Sequence, residues 1–288
     1  MNKTLVVPEA ELYYEVRGAG PLVVLVGAPM NADSFAPLAD LLARDYTVLT
    51  TDPRGVKRSK LRDGGTSTPE QRADDLARLI RHVDAGPAIA LGSSGGAVTV
   101  LALAQAHPEL VSTVIAHEPP LDRLVEDGDE LLAASERMMA DYLAGDVIGA
   151  WKQFFAIANI QVPDGVIEAM FGGKRDPQQV ADERFWFAHE LRETVTWVPD
   201  VGTLRDSGVR IVVGIGEEST GQLCDRTSTA LAKRLGINPT QFPGDHTGFA
   251  DQPDAFAKAL RGELVQVRLD PGPQRGERLG DAVAEVGE

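Results

Sequence analysis

The stretch Ala88-Ile89-Ala90-Leu91-Gly92-Ser93-Ser94-Gly95-Gly96-Ala97 constrains the fold of this chain more than any other. An apolar run, Ala88 to Leu91, reads as a buried strand. An apolar helical pattern runs from Ala97 to Ala106 and stops at His107-Pro108. Between them, Gly92 to Gly96 fits G-x-S-x-G, with Ser94 at the centre. A strand that passes straight into a helix forces the central residue into a strained conformation. Flanking glycines, lacking a Cβ, let the backbone fold that tightly. Ser94 is therefore expected at the C-terminal edge of a sheet, with the N–H of Gly95 at the positive end of a helix.

Around this stretch, strand and helix patterns alternate. Thr4 to Val7 and Leu12 to Val16 read as two short antiparallel strands. Leu22 to Val26 is a continuous apolar run, as in a strand buried on both faces. A helix is expected near Ser34 to Arg44 and a strand over Tyr46 to Thr50. Thr68-Pro69-Glu70-Gln71 combines a cap, a first-turn proline and a capping-box glutamine, so a helix starts there. Val111 to Ala116 and Arg210 to Ile215 read as buried strands, and Thr240 to Phe242 as a last short one. Helices are expected over Gln222 to Leu235 and Asp254 to Leu260. Such alternation means an α/β fold with a mostly parallel sheet covered on both faces. From Leu121 to Pro199 strands vanish, and nine of the sixteen aromatic residues, with all three tryptophans, fall there. The expected organisation is a core domain from residues 1–120 and 200–268, an inserted helical cap over 121–199, and a disordered tail over 269–288.

A net charge of −15 argues against nucleic-acid and anionic-membrane partners, which need a basic face. No stretch approaches the ~20 apolar residues needed to span a bilayer, and the N-terminus lacks a signal-peptide pattern. A single cysteine, Cys224, excludes an internal disulfide and suggests a reducing compartment, so a cytoplasmic location is expected. No Cys or His spacing suits zinc, and no dinucleotide fingerprint is present, so neither metal nor cofactor is expected. Assembly into a homodimer is left open.

In an open α/β sheet, function gathers on loops at the strand C-termini. A serine hydroxyl there needs a base, and the base an orienting carboxylate. Of five histidines, His82 lies on the polar part of a helix, His107 at a helix C-terminus, and His189 in the insertion, where it could line a pocket. His117 adjoins Glu118, but neighbours on a strand point to opposite faces. His246, in a glycine-rich loop after the last strand, is the expected base. Two acids compete: Glu118, stiffened by Pro119-Pro120 at a strand end, and Glu218, in the loop after the Arg210 strand. For the oxyanion of acyl transfer, Gly95 N–H is one donor, and Ala28 is the other, since Pro29 has no N–H. Asp52-Pro53-Arg54-Gly55 reads as a structural turn.

Across about residues 10 to 262 the chain resembles the α/β-hydrolase superfamily, through Gly27-Ala28-Pro29, Asp52-x-Arg54-Gly55, Gly92-x-Ser94-x-Gly96 and Gly244-Asp245-His246. Many of its members carry the acid three residues after the glycine of the penultimate strand, a position that is Ser219 here. A narrower resemblance is to the zearalenone lactonases, through Ser93-Ser94-Gly95, His117-Glu118-Pro119-Pro120 and Pro243-Gly244-Asp245-His246, with an oxyanion loop one residue shorter. That resemblance implies Glu118 as the triad acid and a small-molecule ester or lactone, such as a macrocyclic resorcylic lactone, as substrate. The aromatic insertion is itself expected to form a lid over an apolar pocket, with Met30, Trp151, Phe154, Phe155, Trp186, Phe187, His189 and Trp197 as substrate-contacting candidates. The same triad positions would also serve a cofactor-free haloperoxidase or a carbon–carbon hydrolase, and such folds also host non-catalytic receptors.

Overall fold

The computed structural model describes residues 3–62 and 65–269. The tail expected over 269–288 lies outside the described residues except for Leu269, which is helical and closes the last helix. In chain order the elements are β1 (Lys3–Val7), β2 (Ala10–Arg17), β3 (Leu22–Val26), α1 (Ala36–Leu42), β4 (Thr47–Thr51), β5 (Lys60–Leu61), α2 (Pro69–Val83), β6 (Ala88–Ser93), α3 (Gly95–Ala106) and β7 (Val111–His117). Then come α4 (Gly128–Ala144), α5 (Val147–Ala158), α6 (Asp164–Phe171), α7 (Pro177–Phe185), α8 (Leu191–Thr196), α9 (Val201–Asp206), β8 (Arg210–Gly216), α10 (Leu223–Leu235), β9 (Thr240–Phe242), α11 (Gly248–Asp251) and α12 (Pro253–Leu269).

Among the described residues the strands form one nine-stranded sheet in the order β1-β2-β4-β3-β6-β7-β8-β9, with β5 on β2. β1, β2 and β4 pair antiparallel; from β4 through β9 every pairing is parallel. The five residues of β3 and the six of β6 are all buried, as strands covered on both faces must be. One face packs on α2, α3, α9 and α10 through Leu76, Val98, Leu101, Leu204 and Leu231. The other packs on α1 and α12 through Phe35, Leu38, Leu42, Phe256 and Leu260.

Local chemistry accounts for most element ends. At α2 the Thr68 hydroxyl accepts from Gln71 N–H at 3.2 Å, and the Gln71 carboxamide oxygen accepts from Thr68 N–H at 3.1 Å, which closes the capping box. Several elements differ from expectation, and three are instructive. A 3-10 turn over Ala32–Phe35 leads into α1; Asn31 caps it, its side chain accepting from Asp33 N–H at 3.0 Å, and Asp52 Oδ1 accepts from Ala32 N–H at 2.9 Å. The last helix runs on to Leu269, with Leu260 and Leu264 buried on one face. The two-residue strand β5 carries too little pattern to be read from sequence.

Between β7 and β8 the chain runs mainly through α4 to α8, whose own core holds Met138, Tyr142, Trp186, Phe187, Leu191 and Val195. A buried arginine ties this segment to the sheet domain. Arg72, on α2, donates to Thr99 of α3 at 2.9 Å and to Thr194 of α8 at 3.0 Å, and lies 3.9 Å from the buried Glu190 carboxylate.

Candidate active site

β6 ends at Ser93 and α3 begins at Gly95, so Ser94 alone makes the turn. Its φ of 57° and ψ of −126° are the strained backbone expected of a strand-to-helix elbow. The glycines around it are there because backbone approaches too closely for a side chain. A Cβ on Gly92 would meet Gly96 O at 2.1 Å, and one on Gly96 would meet Val26 O at 2.3 Å. Ser93 turns the other way and is fully buried, with its hydroxyl 3.0 Å from His117 Nδ1. Ser94 borders a cavity of about 460 Å³, which Ala28, Met30, Gly95 and His246 also line. Gly95 N–H, the first of α3, is among the donors a helix start leaves without an intrahelical acceptor.

His246 sits in the loop between β9 and α11, with about a quarter of its side chain exposed. Its Nδ1 lies 2.5 Å from Glu118 Oε2. Glu118 comes directly after β7 and adopts a left-handed φ of 53°, which turns the chain out of the sheet. Its other oxygen accepts from Gly216 N–H at 2.8 Å, and its own N–H donates to Gly214 O at 3.0 Å. Burial alone would raise the Glu118 pKa, but the hydrogen bond and charge of His246 outweigh it and hold the carboxyl down at about 2. Burial opposes the His246 imidazolium, yet neighbouring Cys224 and the Glu118 carboxylate more than offset this and raise its pKa well above 6.5. The two directions agree: each partner stabilises the other's charged form. An imidazole nitrogen paired in this way keeps the ring oriented, as a general base requires.

The structure brings Glu118, and not Glu218, to His246. Glu218 is exposed and accepts from Gln252 Nε2 at 3.2 Å. The remaining histidines have other partners. His82 Nε2 lies 2.8 Å from the Tyr14 hydroxyl, and His107 Nε2 2.7 Å from Asp74 Oδ1. His117 is fully buried, edge-on to Phe242 and Phe256, and burial lowers its pKa to about 4, so it stays neutral. The Asp52-Pro53-Arg54-Gly55 turn is a bracket of ion pairs away from the cavity: Asp52 pairs with Arg58 at 2.6 Å, and Arg54 with Asp75 at 2.7 Å.

Of the proposed pocket residues, Met30, Trp151, Phe154, Phe155 and Trp186 line the cavity. Three do not. Phe187 points into the helical core and stacks on Tyr142 at 3.9 Å. His189 is exposed, beside a separate outer depression. Trp197 donates through its indole N–H to Glu70 at 2.8 Å. The chain over Trp186–Glu190 makes one π-helical turn. Two lining residues gave no sequence signal. Asp122 is buried with neither carboxyl oxygen bonded among the described residues, and burial raises its pKa to about 7. Cys224, near the start of α10, offers its sulfur within 4.8 Å of a Glu118 oxygen and a His246 nitrogen; burial raises its pKa, against the pull of His246.

Comparison with known proteins gives a consistent family. Residues 20–169 match the family described as alpha/beta hydrolase fold. An uncharacterized hydrolase of Bacillus subtilis strain 168, YraK, is 32% identical over 269 residues, covering 91% of this chain and 96% of that one. The zearalenone hydrolase of Bionectria ochroleuca is 28% identical, covering 85% and 90%. Among solved structures, an alpha/beta hydrolase from Sphaerobacter thermophilus superposes with a TM-score of 0.68 at 24% identity, over 91% of this chain and all of that one.

Proposed function

The chain belongs to the α/β-hydrolase family, and on that footing we propose that it is a serine hydrolase of carboxylic esters and lactones. The observation that carries this reading is the 2.5 Å link from Glu118 to His246 on the wall of the cavity that Ser94 also borders. Ser94 Oγ attacks the ester carbonyl while His246, oriented by Glu118, takes its proton. The N–H groups of Ala28 and Gly95 receive the oxyanion, each contributing roughly 3 kcal/mol of transition-state stabilisation. The imidazolium then protonates the leaving alcohol. Water, deprotonated by His246, attacks the acyl-enzyme and frees Ser94.

The cavity supports a bulky substrate. About 460 Å³ lies within the range that encloses a drug-sized ligand, ~300–1,000 Å³. Trp151, Phe154, Phe155 and Trp186 offer aromatic faces to it from the helical segment 121–199, which we read as the lid. A macrocyclic resorcylic lactone is the substrate class to try first, because the Bionectria relative is a zearalenone hydrolase. The test is hydrolysis of a p-nitrophenyl ester, and chromatographic loss of zearalenone, by the wild type and Ser94→Ala. The variant should lose turnover by on the order of 10⁴-fold or more. Undiminished turnover would overturn the serine mechanism.

A further inference from the structure

Cys224 has no part in the proton relay, yet it stands against the two residues that run it. One ligand atom each from Glu118, Cys224 and His246 lies within 4.8 Å of the other two. The three come from distant parts of the chain: the end of β7, the start of α10 and the loop after β9. Cys224 and His246 border the cavity, so an ion in solvent reaches them by the substrate's route, while Glu118 lies buried behind. Thiolate, imidazole and carboxylate are the donors of zinc-class ions, which bind three such groups at about 2.0–2.3 Å and leave a fourth position open. A hard ion such as Mg²⁺ or Ca²⁺ needs six or more oxygen ligands, and this cluster supplies a single carboxylate.

We propose that Glu118, Cys224 and His246 form a binding site for a zinc-class divalent cation, and that its occupancy silences the enzyme. On binding, the Cys224 S–H bond breaks, the proton leaves to solvent, and a sulfur–metal bond forms; no oxidation state changes. The metal displaces the proton that His246 Nδ1 shares with Glu118; that proton passes to Nε2, which then has no lone pair to take the proton of Ser94. The silencing rests on the serine-hydrolase reading; the binding does not.

The test is a titration of the purified chain with Cd²⁺ in chelator-free buffer, followed by the ultraviolet thiolate-to-cadmium absorption, with Zn²⁺ as competitor. The result expected is one Cd²⁺ per chain, displaced by Zn²⁺, with the absorption lost in Cys224→Ala. His246→Gln and Glu118→Gln should each weaken binding by at least tenfold, and Ser94→Ala should leave it unchanged. Zn²⁺ should inhibit ester hydrolysis, and a chelator should restore it. Circular dichroism establishes which variants are folded; if one of His246→Gln and Glu118→Gln is not, the other decides. Cadmium binding as tight in the folded variants as in the wild type would mean that the thiol binds alone, and would overturn the site. Turnover by Ser94→Ala would instead overturn the serine mechanism and leave the metal titration standing.

Discussion

Replacing Asp122 by asparagine should stabilise the protein in a pH-dependent way. Asp122 is 1% exposed, and neither of its oxygens has a hydrogen-bond partner among the described residues. Burial, helped by the nearby Asp127 carboxylate and opposed by Arg226, raises its pKa from 3.8 to about 7. The unfolded chain releases this proton near the ordinary value, whereas the folded chain keeps it until about pH 7. Between those two values the folded state binds the extra proton, so stability falls as pH rises through that window and is level above it. At about 1.36 kcal/mol per pH unit, the loss amounts to roughly 4 kcal/mol. Asparagine has the same shape and carries no charge, so Asp122→Asn should match the wild type near pH 4 and exceed it by a few kcal/mol at pH 8. Urea denaturation of both proteins at intervals from pH 4 to 8 measures this. Every other titrating group is common to the two and cancels in the difference. Parallel curves, with a constant gap across that range, would refute the reasoning.

Other perturbations draw on the same geometry. The base must be neutral to accept a proton, and the His246 pKa is raised above 6.5, so kcat/KM should rise with pH along a limb centred above 6.5. Glu118→Gln should move that limb to lower pH and cut kcat by on the order of 10⁴-fold; a pH–rate profile with an unmoved limb would remove Glu118 from the relay. Gly96→Ala would set a Cβ 2.3 Å from Val26 O, which is backbone and cannot swing aside. It should cost at least about 1–3 kcal/mol in urea denaturation. Arg72→Met should destabilise by about 3–5 kcal/mol, because it strands the buried Glu190 carboxylate, and adding Glu190→Gln should recover much of the loss. A double variant no more stable than Arg72→Met alone would show that the pair is not coupled.

What could be read from sequence was what depends on near neighbours or on unbroken burial. The capping box of α2 lies within four residues, and β3 is apolar at every position because both of its faces are covered. The elbow was legible for the same reason: its glycines answer to contacts that the turn itself brings about. What escaped depends on which way a backbone turns at a distant point. The left-handed φ at Glu118, which aims that carboxyl at the His246 loop, leaves no trace in the sequence; the residues alone keep Glu218 as an alternative, and the resemblance is what points to Glu118. Trp186 and Phe187, adjacent in the chain, both pack in the helical core, and of the two only Trp186 also reaches the cavity wall, a division that no pattern in the sequence marks. Cys224 gave no pattern, because its neighbours in space are 106 positions earlier and 22 later in the chain.

Glu118 and Asp122 show why such partners decide chemistry. They lie four residues apart and are buried to nearly the same degree. Burial pushes both pKa values up. Glu118 has His246 and Gly216 N–H among its partners and ends at about 2; Asp122 has no hydrogen-bond partner among the described residues and ends at about 7. The first is therefore ionised throughout the working range and able to orient a base, whereas the second changes charge within that range and costs stability as it does so. The two effects should separate on mutation. Glu118→Gln should reduce turnover, and adding Asp122→Asn to it should open the same pH-dependent stability gap between pH 4 and 7 that Asp122→Asn opens in the wild type; taking this difference cancels the opposite contribution of His117. If the gap vanished in the Glu118→Gln background, the penalty would belong to the pair of acids acting together, and burial would not be what drives Asp122.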